Sequence, residues 1–127
     1  MSTKEIIDNM NRWVSSFSEK ETDDICALYD EDASLLGTLS PINRDSAELI
    51  REYFEQIFQY QHRYVEFGTS NIRLFGDIAI SNGQYTFRWF NEEEVTVVAR
   101  FSFVYVKKGE RWMIIEHHSS IMPIASW

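Results

Sequence analysis

The chain has 127 residues, 44% of them hydrophobic and 15% aromatic, which suits a single domain spanning residues 1–127 and excludes disorder. Its 20 acidic against 12 basic residues give a formal charge of −8, which argues against nucleic acid and anionic membranes as partners, since clustered Lys and Arg hold both. Cys26 is alone and excludes an internal disulfide, while Lys4, Glu5, Asp8 and Arg12 stand where a signal peptide would be apolar, so the expected location is the cytoplasm.

Ile6, Met10, Trp13 and Phe17, with Ile7 and Val14 beside them, recur at helical spacing and predict an amphipathic helix from residue 3 to 18. A short second helix is predicted from Thr22, read as its N-cap, through Ile25, Leu28 and Tyr29, after which Asp30-Glu31-Asp32 turns the chain. Ala33-Ser34-Leu35-Leu36 reads as a brief strand running into the loop Gly37-Thr38-Leu39-Ser40-Pro41. Asp45 with Glu48 has the pattern of a capping box for a third helix that buries Leu49, Ile50, Tyr53, Phe54, Ile57 and Phe58 and ends near Tyr60.

From Tyr64 onward the texture turns β-branched and aromatic, predicting strands over 71–75, 78–89, 95–106 and 112–119. Gly76-Asp77 and Lys107-Lys108-Gly109-Glu110 read as hairpin connections, and Asn91-Glu92-Glu93-Glu94 as a solvated turn. Three helices followed by a meander of long strands predict an α+β fold in which one curved sheet wraps the first and third helices. The apolar end Ile124-Ala125-Ser126-Trp127 offers Trp127 as a contact to a second subunit.

The residues suited to chemistry concentrate in His117-His118-Ser119-Ser120. Side chains alternate along a strand, so His117 and Ser119 share one face and His118 and Ser120 the other, and the two histidines are not expected to hold one metal. A histidine beside a hydroxyl can act as a general base or orient a water, because its free pKa lies near neutrality; either pair can equally satisfy backbone groups or sit in a subunit interface. Thr38 and Tyr53 bring hydroxyls toward the core, Tyr53 either as a structural hydrogen bond or as part of a polar network on a cavity floor. Arg100 lies in an aromatic strand, where it either faces inward and needs an anion or pairs on the convex face with Glu92, Glu93 or Glu94.

Four stretches together carry a resemblance: Gly37-Thr38-Leu39-Ser40-Pro41, Ile50-Arg51-Glu52-Tyr53-Phe54, Ala99 through Tyr105, and Trp112 through His117-His118-Ser119-Ser120-Ile121-Met122-Pro123. They resemble the bacterial branch of the association domain of calcium/calmodulin-dependent protein kinase II. That branch lies in the nuclear transport factor 2-like (SnoaL-like, cystatin-like) superfamily and includes the iota-class carbonic anhydrases. The resemblance spans nearly the whole chain, with the His-His-Ser-Ser motif its most specific part.

It implies a cone-shaped α+β barrel, a curved antiparallel sheet around N-terminal helices with a cavity between, forming a homodimer or a larger homo-oligomer. It also implies hydration of carbon dioxide to bicarbonate without metal or other cofactor, with Thr38, Tyr53, His117 and Ser119 as catalytic residues. Arg100, His118 and Ser120 are the ligand-binding candidates, the last two matching the kinase hub's shorter His-x-Ser pattern. Two other functions stand beside this one on the same scaffold. One is a non-catalytic oligomerisation or small-ligand-binding module. The other is a cyclase, isomerase or dehydratase acting on an apolar ring-containing substrate, against which counts the lack of a fixed aspartate base. Beside the bacterial relatives and the kinase hub, the chain is expected to lack an export signal and a kinase domain.

Overall fold

Helix α1 (Thr3–Ser18) forms as its apolar spacing predicts, and its inner face buries Ile6, Met10, Trp13 and Phe17 together with the polar Asn9 and Ser16. In the computed structural model, which describes residues 3–19 and 21–123, the remaining elements are α2 (Thr22–Cys26), β1 (Tyr29–Leu36), β2 (Asn43–Arg44), α3 (Ala47–Ile57), β3 (Gln61–Phe75), β4 (Ile78–Asn91), β5 (Glu93–Lys108) and β6 (Arg111–Ile121). The side chains of residues 61–63 and 91, and the chain end with Trp127, lie outside that description.

Several local expectations are corrected. Thr22 is the first helical residue of α2, and Glu21 caps the helix without a side-chain hydrogen bond. Tyr29 and Asp30-Glu31-Asp32 are extended and belong to β1: Tyr29 pairs with Ile114 of β6, and Asp30-Glu31-Asp32 lie in the irregular stretch before the ladder resumes at Ser34, so tertiary pairing on either side outweighs the local helix and turn preferences. The cap of α3 is Ser46, not Asp45: Ser46 has extended dihedrals, and its Oγ accepts from the Leu49 amide at 3.2 Å. The acidic turn closes around a single residue, Glu92, at φ 69°, between the paired Asn91 and Glu93.

One six-stranded sheet in the order β2-β1-β6-β5-β4-β3 forms the body of this α+β fold. The expectation of a purely antiparallel sheet needs one correction, because β1 runs parallel to β6 while every other pairing is antiparallel. Strand β1 is far from β6 in sequence, so the chain can return beside it in the same direction only by way of α3 and the β3–β5 meander. The sheet is open, with β2 and β3 as its edges. Trp13 sits at the centre of the concave side, 2% exposed, its indole against Phe17, Phe54, Phe67, Tyr85, Phe103 and His117.

Candidate functional site

Regular alternation from the buried Trp112 and Ile114 would turn Glu116, His118 and Ser120 toward the helices. A bulge prevents this. Val104 pairs with Glu116 but the next residue, Tyr105, pairs with Ile114, so β6 carries one extra residue at Ile115. Downstream of it the faces exchange, and His117 (2% exposed) and Ser119 (5%) are the buried pair while His118 is exposed.

Ser119 meets Thr38 from the loop after β1, Oγ to Oγ1 in a direct hydrogen bond. Tyr53, on the buried face of α3, directs its hydroxyl to the Thr38 carbonyl at 3.4 Å. The ring reaches this place only because residue 37 is glycine: a Cβ there would overlap the Tyr53 ring and its hydroxyl. The structure thus brings together Thr38, Tyr53 and Ser119. Burial pushes the Tyr53 phenol up to about 12 despite the opposing charge of Arg44, so it is a proton donor at neutral pH.

Thr38 and Tyr53 also line a cavity of about 260 Å³. Its lining includes the polar Thr38, Ser40, Arg44, Tyr53 and Gln56 and the apolar Phe17, Ile57, Phe87 and Trp89. The cavity wall includes Arg44 and Arg88 but no carboxylate. Arg44 is a site residue that the sequence reading passed over. Its side chain is 6% exposed, with Nη1 donating to Glu52 Oε1 at 2.9 Å and to the Leu49 carbonyl at 2.8 Å, and its guanidinium lies 5.5 Å from the centre of the Tyr53 ring. Its one visible sign in the sequence is its place just ahead of the cap of α3.

His117 lies deeper, behind the hydroxyl pair, and is not among the residues lining the cavity. Its ring stacks on Phe103 at 4.1 Å, Nδ1 meets the Tyr29 hydroxyl at 2.7 Å, and Nε2 meets the Tyr85 hydroxyl at 3.1 Å. Trp13 Nε1 donates to that Tyr29 hydroxyl at 3.0 Å. Burial, helped by His118, pushes the imidazole down to about 3, and burial raises both Tyr29 and Tyr85. His117 is therefore neutral at ordinary pH and has no contact with the cavity, which removes the physical basis for reading it as a general base.

The other three predicted residues are not brought to the cavity. Arg100, His118 and Ser120 lie on the opposite face of the sheet, Arg100 paired across the ladder with Gln84 and Ser120, His118 with Ser102. Arg100 and His118 are exposed and Ser120 is half-buried. Among the described residues, no group of three or more His, Cys, Asp or Glu is placed to hold a metal ion, and no helix is long and apolar enough to cross a membrane.

A neutral donor cluster beside a buried cation is suited to orienting a small oxygenated molecule and to stabilising negative charge that develops on it. The family model for the calcium/calmodulin dependent protein kinase II association domain matches residues 2–123. An association-domain protein from Xanthomonas campestris is 31% identical, with a TM-score of 0.91 over 98% of this chain and 91% of its own. A nuclear transport factor 2-like superfamily protein from Salmonella enterica serovar Typhimurium (17% identity, TM-score 0.87, 97% and 92% covered) and a ketosteroid isomerase-like protein from Erwinia carotovora (12%, 0.79, 95% and 96%) share the fold. Comparison with curated proteins gave no match.

Proposed function

The chain belongs to the calcium/calmodulin dependent protein kinase II association-domain family, within the nuclear transport factor 2-like superfamily, and from that premise we propose that it hydrates carbon dioxide to bicarbonate without a metal, in the manner of the iota-class members. The observation that carries the reading is the Thr38 hydroxyl on the cavity wall, held by a direct contact to the buried Ser119, with Tyr53 over the same loop.

In this reading Thr38, held in place by Ser119, orients a water beside carbon dioxide. The water oxygen forms the new bond to carbon, one C=O electron pair moves onto its oxygen, and the released proton leaves through the cavity mouth to solvent buffer. Tyr53, protonated at neutral pH, and the Arg44 guanidinium beside it stabilise the negative charge that develops. No zinc lowers the pKa of this water from about 15.7 toward 7, so turnover is modest beside a zinc enzyme. Stopped-flow hydration on metal-stripped protein tests the reading. A rate above buffer that chelators leave unchanged, and that falls in Tyr53→Phe and Arg44→Gln, supports it; a folded protein with a flat trace refutes it.

A second reading rests on cavity size. A volume of about 260 Å³ approaches the ~300–1,000 Å³ of sites for organic ligands, and aromatic walls with a buried arginine suit an apolar body bearing an anionic or carbonyl group. The ketosteroid isomerase-like relative shows that the scaffold has been associated with such chemistry. Turnover or tight binding of a ring-containing substrate, with no hydration of carbon dioxide, would establish this reading in place of the first. Either way, membership of an association-domain family favours homo-oligomers, which sedimentation measures directly.

A further inference from the structure

The hydrogen bonds around His117 have one self-consistent direction. Trp13 Nε1 carries a proton and no lone pair, so it donates to the Tyr29 oxygen at 3.0 Å. The Tyr29 hydroxyl proton then has one hydrogen-bond acceptor, His117 Nδ1 at 2.7 Å. A proton on Nδ1 would set two donors against each other or strand a buried phenol proton. Nδ1 is therefore bare. A neutral imidazole then carries its proton on Nε2, which donates to the Tyr85 oxygen at 3.1 Å.

The Tyr85 oxygen accepts from His117, and the Ser119 and Thr38 hydroxyls act on that same oxygen as donors that oppose the effect of burial. Among the described residues both ring nitrogens of His117 meet tyrosine hydroxyls, Nδ1 that of Tyr29 and Nε2 that of Tyr85.

We propose that Trp13 and Tyr29 lock His117 as the Nε2–H tautomer, making Trp13–Tyr29–His117–Tyr85 a one-way chain of hydrogen bonds that ends on the Tyr85 oxygen. Trp13, Tyr29, His117 and Tyr85 are on this account positioning residues. They fix which way the hydrogen bonds around His117 run, and they take no proton from a ligand. The inference rests on the hydration reading only for its effect on rate, since the tautomer is a property of the resting protein.

The test is long-range ¹H–¹⁵N correlation on histidine-labelled protein, followed from neutral to mildly acidic pH, with stopped-flow hydration on Tyr29→Phe alongside. Expected is a buried imidazole with Nδ1 unprotonated and Nε2 protonated, unchanged on acidification. In Tyr29→Phe that tautomer loses its dominance, and kcat falls roughly ten-fold or more with KM little changed, as expected when a site imidazole is released from its tautomer. A wild-type His117 with the proton on Nδ1, or with both nitrogens protonated, overturns the proposal without any variant having to fold. A tautomer change in Tyr29→Phe with unaltered kcat overturns the positioning role. A wild type that shows the Nε2–H signature but hydrates nothing refutes the hydration reading alone.

Discussion

The two faces of β6 carry nearly the same chemistry, a histidine and a serine two residues apart, and the structure treats them in opposite ways. His117 and Ser119 are buried in an aromatic and hydroxyl network, whereas Arg100, His118, Ser120 and Ser102 form a polar stretch on the outer face. Residue type does not distinguish them. The difference comes from one extra residue at Ile115, which turns over every side chain beyond it. A polar group buried by such a shift must find partners, and His117 uses both ring nitrogens on tyrosines.

The sharpest way to break the comparison is to remove each histidine in turn. His117→Ala should destabilise by about 3 kcal/mol or more, since it opens a hole in the core and orphans the Tyr29 and Tyr85 hydroxyls, while His118→Ala should stay within ~0.5 kcal/mol of wild type. Urea denaturation of both variants checks this, and equal losses would erase the distinction between the faces.

Acid should separate the faces as well. The folded protein holds His117 near 3 against 6.5 when free, so the unfolded chain binds the extra proton between those values. The stability contributed by the neutral imidazole is complete above pH 6.5 and is lost as pH falls toward 3. A His117→Gln variant should therefore lose stability less steeply than wild type across that window; parallel denaturation profiles would contradict the burial account.

Gly37→Ala tests the loop side of the inner site. Its new Cβ must displace the Tyr53 ring, for a cost of about 2 kcal/mol and the loss of Tyr53 from the cluster, read as a lower denaturation midpoint and slower hydration. The smallest expected effect lies outside: Arg100→Gln should change neither stability beyond ~0.5 kcal/mol nor hydration rate.

Much of the architecture was legible because it rests on periodicity. The face of α1, the apolar side of α3 and the strand-rich second half follow from spacing alone. The cap at Ser46 and the extended path through Tyr29–Asp32 did not, since a tertiary partner, β6, overrides local preference in the second case and adjacent Asp and Ser are equivalent cap candidates in the first. The hydroxyls of Thr38, Tyr53 and Ser119 were picked out by motif. The side chains that organise them were not, because Trp13 and Tyr85 look like ordinary core residues until their polar atoms are traced, and Tyr29 was read as a helix end. Arg44 has no motif around it, and its burial comes from the two-residue strand β2 and its contact with α3, whereas Arg100 stands in an aromatic strand whose other face it occupies.

The most direct test of the account compares the two serines that differ only in face. Stopped-flow carbon dioxide hydration should fall about 100-fold in Ser119→Ala, with the fold intact by circular dichroism, and remain at the wild-type rate in Ser120→Ala. A wild-type rate in Ser119→Ala, or an equal loss in both variants, would contradict the assignment of the buried hydroxyl pair as the working site.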